Sequence, residues 1–113
     1  AVITIRNYLG GYYYFTSDET EITGNRIFLI EGKHSKTNSL PSLEDIKDGL
    51  LKMILFTNLE DLEINGKNYN PVAVLKLTVE NNFNPSNLNK TQNQILLLLN
   101  KEAKQNGFEV KIL

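Results

Sequence analysis

The sequence predicts an α/β domain, α+β in detail because its sheet is mixed, with two main helices and the coarse order β–β–β–α–hairpin–β–α–β. Three observations carry this expectation. Two turn pairs, Gly24-Asn25 and Asn65-Gly66, each separate short strand-like runs. Two longer stretches repeat apolar residues at helical spacing, Ser42 to about Asn58 and about Leu88 or Thr91 to Gln105. Alternating or wholly apolar runs of strand length fill the rest. With 113 residues, 41% of them hydrophobic, the chain suits one domain, residues 1–113, around one modest core. It begins at Ala1 rather than Met, as a processed chain or a fragment of a longer protein would.

The elements follow in order. Ala1–Phe15 alternates at Val2–Ile5, reaches Gly10-Gly11, and continues in the aromatic run Tyr12–Phe15, which reads as strand, flexible or bulged glycine pair, strand. The tyrosines fit a strand better than a base-stacking platform. Residues 16–36 form a hairpin whose second strand, Arg26–His34, is apolar on both faces, as a covered central strand is. His34–Pro41 is a polar loop. Ser42 caps a helix whose first turn carries Glu44 and Asp45, and Leu43, Ile46, Leu50, Met53 and Ile54 share one face. Gly49 within it marks either close packing on the sheet or a tolerated weakness. Leu62–Tyr69 is a second hairpin, Val72–Val79 a strand, and Asn81–Asn89 an Asn-rich loop. The last helix places Leu88, Gln92, Ile95, Leu96, Leu99 and Ala103 on one face and stops at Asn106-Gly107. Phe108, Val110 and Ile112 then point inward from a final strand.

Composition excludes some functions and leaves others open. The absence of cysteine removes disulfides and thiolate metal sites. The longest apolar run, Ile95–Leu99, is far short of a membrane span, and no N-terminal segment resembles a signal peptide, so a cytoplasmic protein is expected. A net charge of −1 advertises no global nucleic-acid field, although a local patch would not show in the total. No phosphate-binding glycine loop is present, and nothing brings Ser, His and Asp together as a triad.

The first hairpin carries the chemistry. If Gly24-Asn25 is its two-residue loop, Thr23 faces Arg26, Ile22 faces Ile27, Thr20 faces Leu29 and Asp18 faces Glu31. Alternation then projects Asp18, Glu31 and Lys33 from one face. Opposed like charges repel, so a fold avoids this pairing unless a cation lies between the carboxylates. A carboxylate and an ammonium at the end of a buried strand are expensive unless paired or ligated. Either Glu31 and Lys33 form an ion pair, or they belong to an active site. Two carboxylates holding a hard divalent ion beside a lysine suit phosphodiester cleavage.

The pattern acid–x–Lys is common, and the chain contains four instances that control for one another. Asp45-Ile46-Lys47 and Glu102-Ala103-Lys104 fall on helices, where residues two apart diverge. Glu109-Val110-Lys111 lies on the polar side of the last strand with no opposed acid. Only Glu31-Gly32-Lys33 joins a central strand, a lysine on the same face and an acid across a hairpin. The arrangement Thr16-Ser17-Asp18, about a dozen residues, then Ile30-Glu31-Gly32-Lys33 resembles the PD-(D/E)xK nuclease superfamily. Within it, EGKHSK followed by LPSLEDIKDGLLKMILFTNL is similar to a type II restriction endonuclease. The resemblance covers about Tyr12–Val79, and its sharp motif is three residues long.

The resemblance implies a restriction-endonuclease-like core and a Mg²⁺-dependent endonuclease, with Mn²⁺ as substitute. Asp18 and Glu31, with the Gly32 backbone carbonyl, would bind the metal. Lys33 would orient the attacking water or steady the transition state, and the catalytic set is Asp18, Glu31 and Lys33. Double-stranded DNA is the implied partner, and symmetric double-strand cutting implies a homodimer. A Holliday-junction resolvase or repair nuclease would use the same residues; a non-catalytic binding or structural domain would use Lys33 only to neutralise Glu31. The sequence departs from the family in three ways. Ser17 stands where the motif has proline, the helix that usually precedes the first strand is missing or lies before Ala1, and 113 residues leave little room for a DNA-reading surface.

Lesser candidates surround this set. His34, Ser35, Lys36, Thr37 and Asn38 follow the catalytic strand and either contact phosphates or form a solvated loop. His34, the only histidine, faces away from Lys33. Glu19 and Glu21 face away from Asp18, but a one-residue bulge at 17–19 would swap Glu19 into the site.

Overall fold

Two tight turns and one crossover helix decide the architecture. The computed structural model describes residues 2–6, 12–37, 39–59 and 62–113, and for 2–6 and 12–16 only the backbone. The Gly10-Gly11 pair, Asn38 and the tyrosine side chains of 12–14 therefore lie outside the described residues. Among these described residues, eight strands and two α-helices follow the order β1 Val2–Arg6, β2 Tyr12–Thr16, β3 Glu19–Thr23, β4 Arg26–His34, α1 Leu43–Thr57, β5 Glu63–Ile64, β6 Lys67–Asn68, β7 Asn70–Thr78, α2 Lys90–Asn106 and β8 Glu109–Ile112. A 3₁₀ turn, Pro85–Asn87, interrupts the Asn-rich loop.

The first hairpin has the register its turn dictates: Thr23 pairs with Arg26, Ile22 with Ile27, Thr20 with Leu29 and Glu19 with Ile30. Gly24 supplies the one positive φ of the loop, +62°, as the first position of a type II′ turn requires. In the second hairpin both Asn65 (φ 53°) and Gly66 (φ 79°) are left-handed, the type I′ solution.

The strands form two four-stranded sheets. One is antiparallel throughout, in the order β2-β1-β5-β6. The other, β3-β4-β7-β8, is mixed: β3 is antiparallel to β4, while β4, β7 and β8 run parallel. The α/β class with a mixed sheet and two helices is thus observed, with one strand more before α1 than expected. The extra strand arises because the chain breaks at Ser17-Asp18. Ser17 is buried, and its hydroxyl donates to the carbonyl oxygens of Glu19 (2.7 Å) and Ile30 (3.1 Å), pinning the break to β4. The strand entering this break and the strand leaving it belong to different sheets.

The core lies on one face of the mixed sheet. Ile27 and Leu29 of β4 and Ala73, Leu75 and Leu77 of β7 meet Ile46, Met53 and Phe56 of α1 and Leu99 and Ala103 of α2. Both helices have side-chain caps. The Ser42 hydroxyl accepts from the Asp45 N–H, and Asn89 and Gln92 form a reciprocal capping box. Gly107, at φ 75°, ends α2 in the left-handed conformation. Among the described residues no helix is long and apolar enough to cross a membrane.

The buried face of α1 is Ile46, Gly49, Met53 and Phe56. Leu43 and Ile54, expected on that face, are 44% and 60% exposed. The helix is rotated about Gly49, which presses on β7: a Cβ there would lie 2.5 Å from Leu75 Cδ1. Close packing, rather than tolerated weakness, explains this glycine. Gly49→Ala gains helix propensity but overpacks a fully buried leucine, so a net loss of roughly 1–2 kcal/mol is expected in urea denaturation. Combining it with Leu75→Val should cost less than the sum of the two single changes. An undiminished midpoint for Gly49→Ala alone would mean that Leu75 has room to turn aside.

Candidate active site

The hairpin and the parallel pairing together build a small polar cluster near the carboxy end of β4. Glu31 follows Ile27 and Leu29 on the inward face of β4, and it is 7% exposed. Its parallel neighbour on β7 is Leu75, so the carboxylate enters hydrocarbon on that side. Lys33 stands two residues further along the same face, half-buried, with Nζ 3.8 Å from Glu31 Oε1. Asp18 sits in the bend before β3, one step beyond the last registered pair of the hairpin. It is exposed, and its Oδ2 accepts from the Gly32 N–H at 3.3 Å.

Asp18, Glu31 and Lys33 therefore lie near one another, but the ladder ends at Glu19–Ile30, and the expected Asp18–Glu31 pair is replaced by the bond from the Gly32 N–H to Asp18. Glu31 titrates above its ordinary value of 4.5 because burial disfavours its charge; repulsion from Asp18 adds to this, and Lys33 and then Lys52 oppose it. A hydrogen bond to Asp18 further favours the protonated form. Oxygen donors brought together under mutual repulsion fit a hard divalent cation, which relieves both penalties at once. The protein supplies few ligands: among the described residues no group of three or more His, Cys, Asp or Glu is placed to hold a metal. Gly32 adds its peptide edge, since a strand residue's N–H and C=O leave the same side, here the side of Asp18.

The neighbouring candidates take different places. Glu19 pairs with Lys76 at 3.3 Å on the opposite face of the sheet, and the ladder beside it is regular, so no bulge brings Glu19 to the site. His34 Nδ1 lies 2.8 Å from Thr78 Oγ1 and Nε2 3.3 Å from Glu80 Oε2, tying the carboxy ends of β4 and β7 together on that same opposite face. Ser35 is buried, and its hydroxyl bonds to Thr37 at 2.8 Å inside the loop. Lys36 is exposed. Sequence reasoning missed Lys52 and the anchoring role of Ser17. Lys52 was detectable in principle, three residues beyond the glycine that touches the sheet. Nothing in the sequence marks Ser17.

No protein-family profile, curated protein or solved structure matches the chain. The geometry of the site therefore carries the functional argument.

Burial of Glu31 has a measurable consequence. Below about pH 4.5 the group is protonated in both folded and unfolded chains and costs nothing; above its raised folded-state pKa the folded protein bears the whole penalty. The contribution of Glu31 to stability thus falls as pH rises from about 4.5 through that pKa. Without divalent metal, Glu31→Gln should raise the urea midpoint at pH 7, and this advantage should disappear below pH 4.5. Equal midpoints at pH 7 would show that the two lysines cancel the cost of burial.

Proposed function

We propose that the protein is a metal-dependent endodeoxyribonuclease, of the type II restriction class within the PD-(D/E)xK superfamily, with Asp18, Glu31 and Lys33 as its catalytic residues. The convergence of two neighbouring carboxylates with a same-face lysine at the end of a buried strand supports this reading. Asp18 and Glu31, with the Gly32 carbonyl, would hold Mg²⁺ or its substitute Mn²⁺. Bound there, the cation would neutralise the scissile phosphate and acidify a bound water. Lys33 contributes fixed positive charge where negative charge develops during phosphodiester cleavage, and its tether on β4 avoids reorganisation at that moment. Burial of Glu31 keeps bulk water from one side of the site and strengthens each of these interactions. The substrate is double-stranded DNA, and two sites in a homodimer would cut both strands of a symmetric sequence. Such an enzyme works in the cytoplasm.

One observation favours a second reading. Lys33 and Glu31 already form an ion pair, and such a pair suffices to neutralise a buried acid in a non-catalytic domain. In that reading Asp18 serves only to accept the Gly32 N–H, at the cost of a second negative charge beside Glu31.

Incubation of mixed plasmid DNA with the protein and Mg²⁺ tests the proposal. The parent should cut, and Asp18→Ala and Lys33→Ala should each lower the rate by at least about 100-fold. If the parent is inert, thermal melting with and without Mg²⁺ separates the remaining cases. A shift abolished by Asp18→Ala would mean a metal site without nuclease activity. Neither cleavage nor a shift would leave an ordinary ion pair.

A further inference from the structure

We propose that Lys52 of α1 is a second phosphate-binding cation of the Asp18–Glu31–Lys33 site, reaching the DNA backbone from the helix side as Lys33 does from the sheet. The inference rests on the nuclease reading and assigns a residue that the acid–x–Lys motif does not contain.

The position of Lys52 follows from three placements. First, Gly49 lies against Leu75, and Leu75 is the registered parallel neighbour of Glu31, so α1 crosses the sheet level with the carboxylate. Second, α1 connects two parallel strands, so it runs back across the sheet with its N-terminus near the carboxy end of β4. Helical side chains lean toward the helix N-terminus, which carries Lys52, one turn past Gly49, back toward the level of Glu31. Third, the flank of α1 is fixed. Leu50, Ile54 and Thr57 line a cleft of about 530 Å³ with Glu102, Gln105 and Phe108, on the side of α2 and β8. Lys52 is two residues from both Leu50 and Ile54, hence on the opposite flank, the one facing β4 and β3. That flank is where Asp18 and Glu31 converge. Consistent with this, the Lys52 side chain is partly covered whereas Lys47 on the same helix is exposed.

The arrangement has a chemical use. Glu31 has one cation along its own strand and another above it, while a net charge of −1 offers no general attraction for DNA. Two lysines balance Asp18 and Glu31, so a divalent cation bound there would leave the site with the local positive field that the whole chain lacks. When a divalent cation satisfies the carboxylates, both ammonium groups are released to phosphate oxygens, which they meet as point charges on flexible stems.

Binding of mixed-sequence duplex DNA, measured against salt with Ca²⁺ replacing Mg²⁺ to hold off cleavage, tests the role alongside cleavage in Mg²⁺. Loss of one phosphate contact flattens the plot of log affinity against log salt by about 0.9. Lys52→Ala should show this flattening and cut about 10- to 100-fold more slowly, Lys52→Arg should restore the slope, and Lys47→Ala should change neither. Melting curves confirm that the variants fold, and Lys52→Met preserves the stem if alanine does not. A parent that cuts, with Lys52 variants of equal slope and rate, would remove Lys52 and leave the nuclease reading intact. A parent that neither binds nor cuts DNA would remove both.

Discussion

A carboxylate at the edge of a hydrocarbon core needs compensation, and Glu31 has an acid near it as well as a lysine beside it. Its side chain continues the inward row of Ile27 and Leu29, so it cannot swing into solvent without leaving the face that the register assigns. Asp18 is held nearby by the Gly32 N–H and by the buried Ser17, whose hydroxyl fixes the preceding bend to β4. The fold thus commits two negative groups to one place and spends backbone order on keeping them there. A structural ion pair would require only Lys33. The additional acid accepts the Gly32 N–H, and a cation-binding site would also give its charge a use.

The rest of the architecture serves that cluster. Parallel pairing of β4 with β7 obliges the chain to return through α1, and Gly49 lets the helix settle onto Leu75 beside the carboxylate. Apolar packing of Ile46, Met53 and Phe56 beneath the helix fixes its rotation, and rotation decides which lysine faces the site. Core packing and electrostatics are coupled in this way: a change at Gly49 would move Lys52 as well as strain Leu75.

Much of this was legible in the sequence. Gly24-Asn25 is a two-residue loop, and such a loop admits one register, so the pairs from Thr23–Arg26 to Glu19–Ile30, and with them the shared face of Glu31 and Lys33, followed from counting. The cap Ser42 and the stop at Asn106-Gly107 mark helix ends through local chemistry alone, whereas the Asn89 cap was not singled out. The split of β2 from β3 was not legible, because it depends on tertiary bonds from Ser17 to β4 that no local pattern encodes. The rotation of α1 was misjudged because apolar residues at 43, 46, 50, 53, 54 and 56 leave the buried arc ambiguous, and the glycine that settles it has no hydrophobicity to count. Lys52 escaped notice for the same reason. Its role depends on where a helix lands, and the sequence fixes only which residues share a helical side.

The most direct test of the account is paramagnetic broadening of backbone amide signals by substoichiometric Mn²⁺. With a cation held between Asp18 and Glu31, Asp18, Glu31, Gly32 and Lys33 should lose intensity first, Glu102, Glu109 and their neighbours should stay sharp, and excess Mg²⁺ should reverse the loss. Broadening spread evenly over the acidic surface, or none at 18 and 31–33, would contradict a metal centre between Asp18 and Glu31. The hairpin would then hold only the ion pair of Glu31 with Lys33.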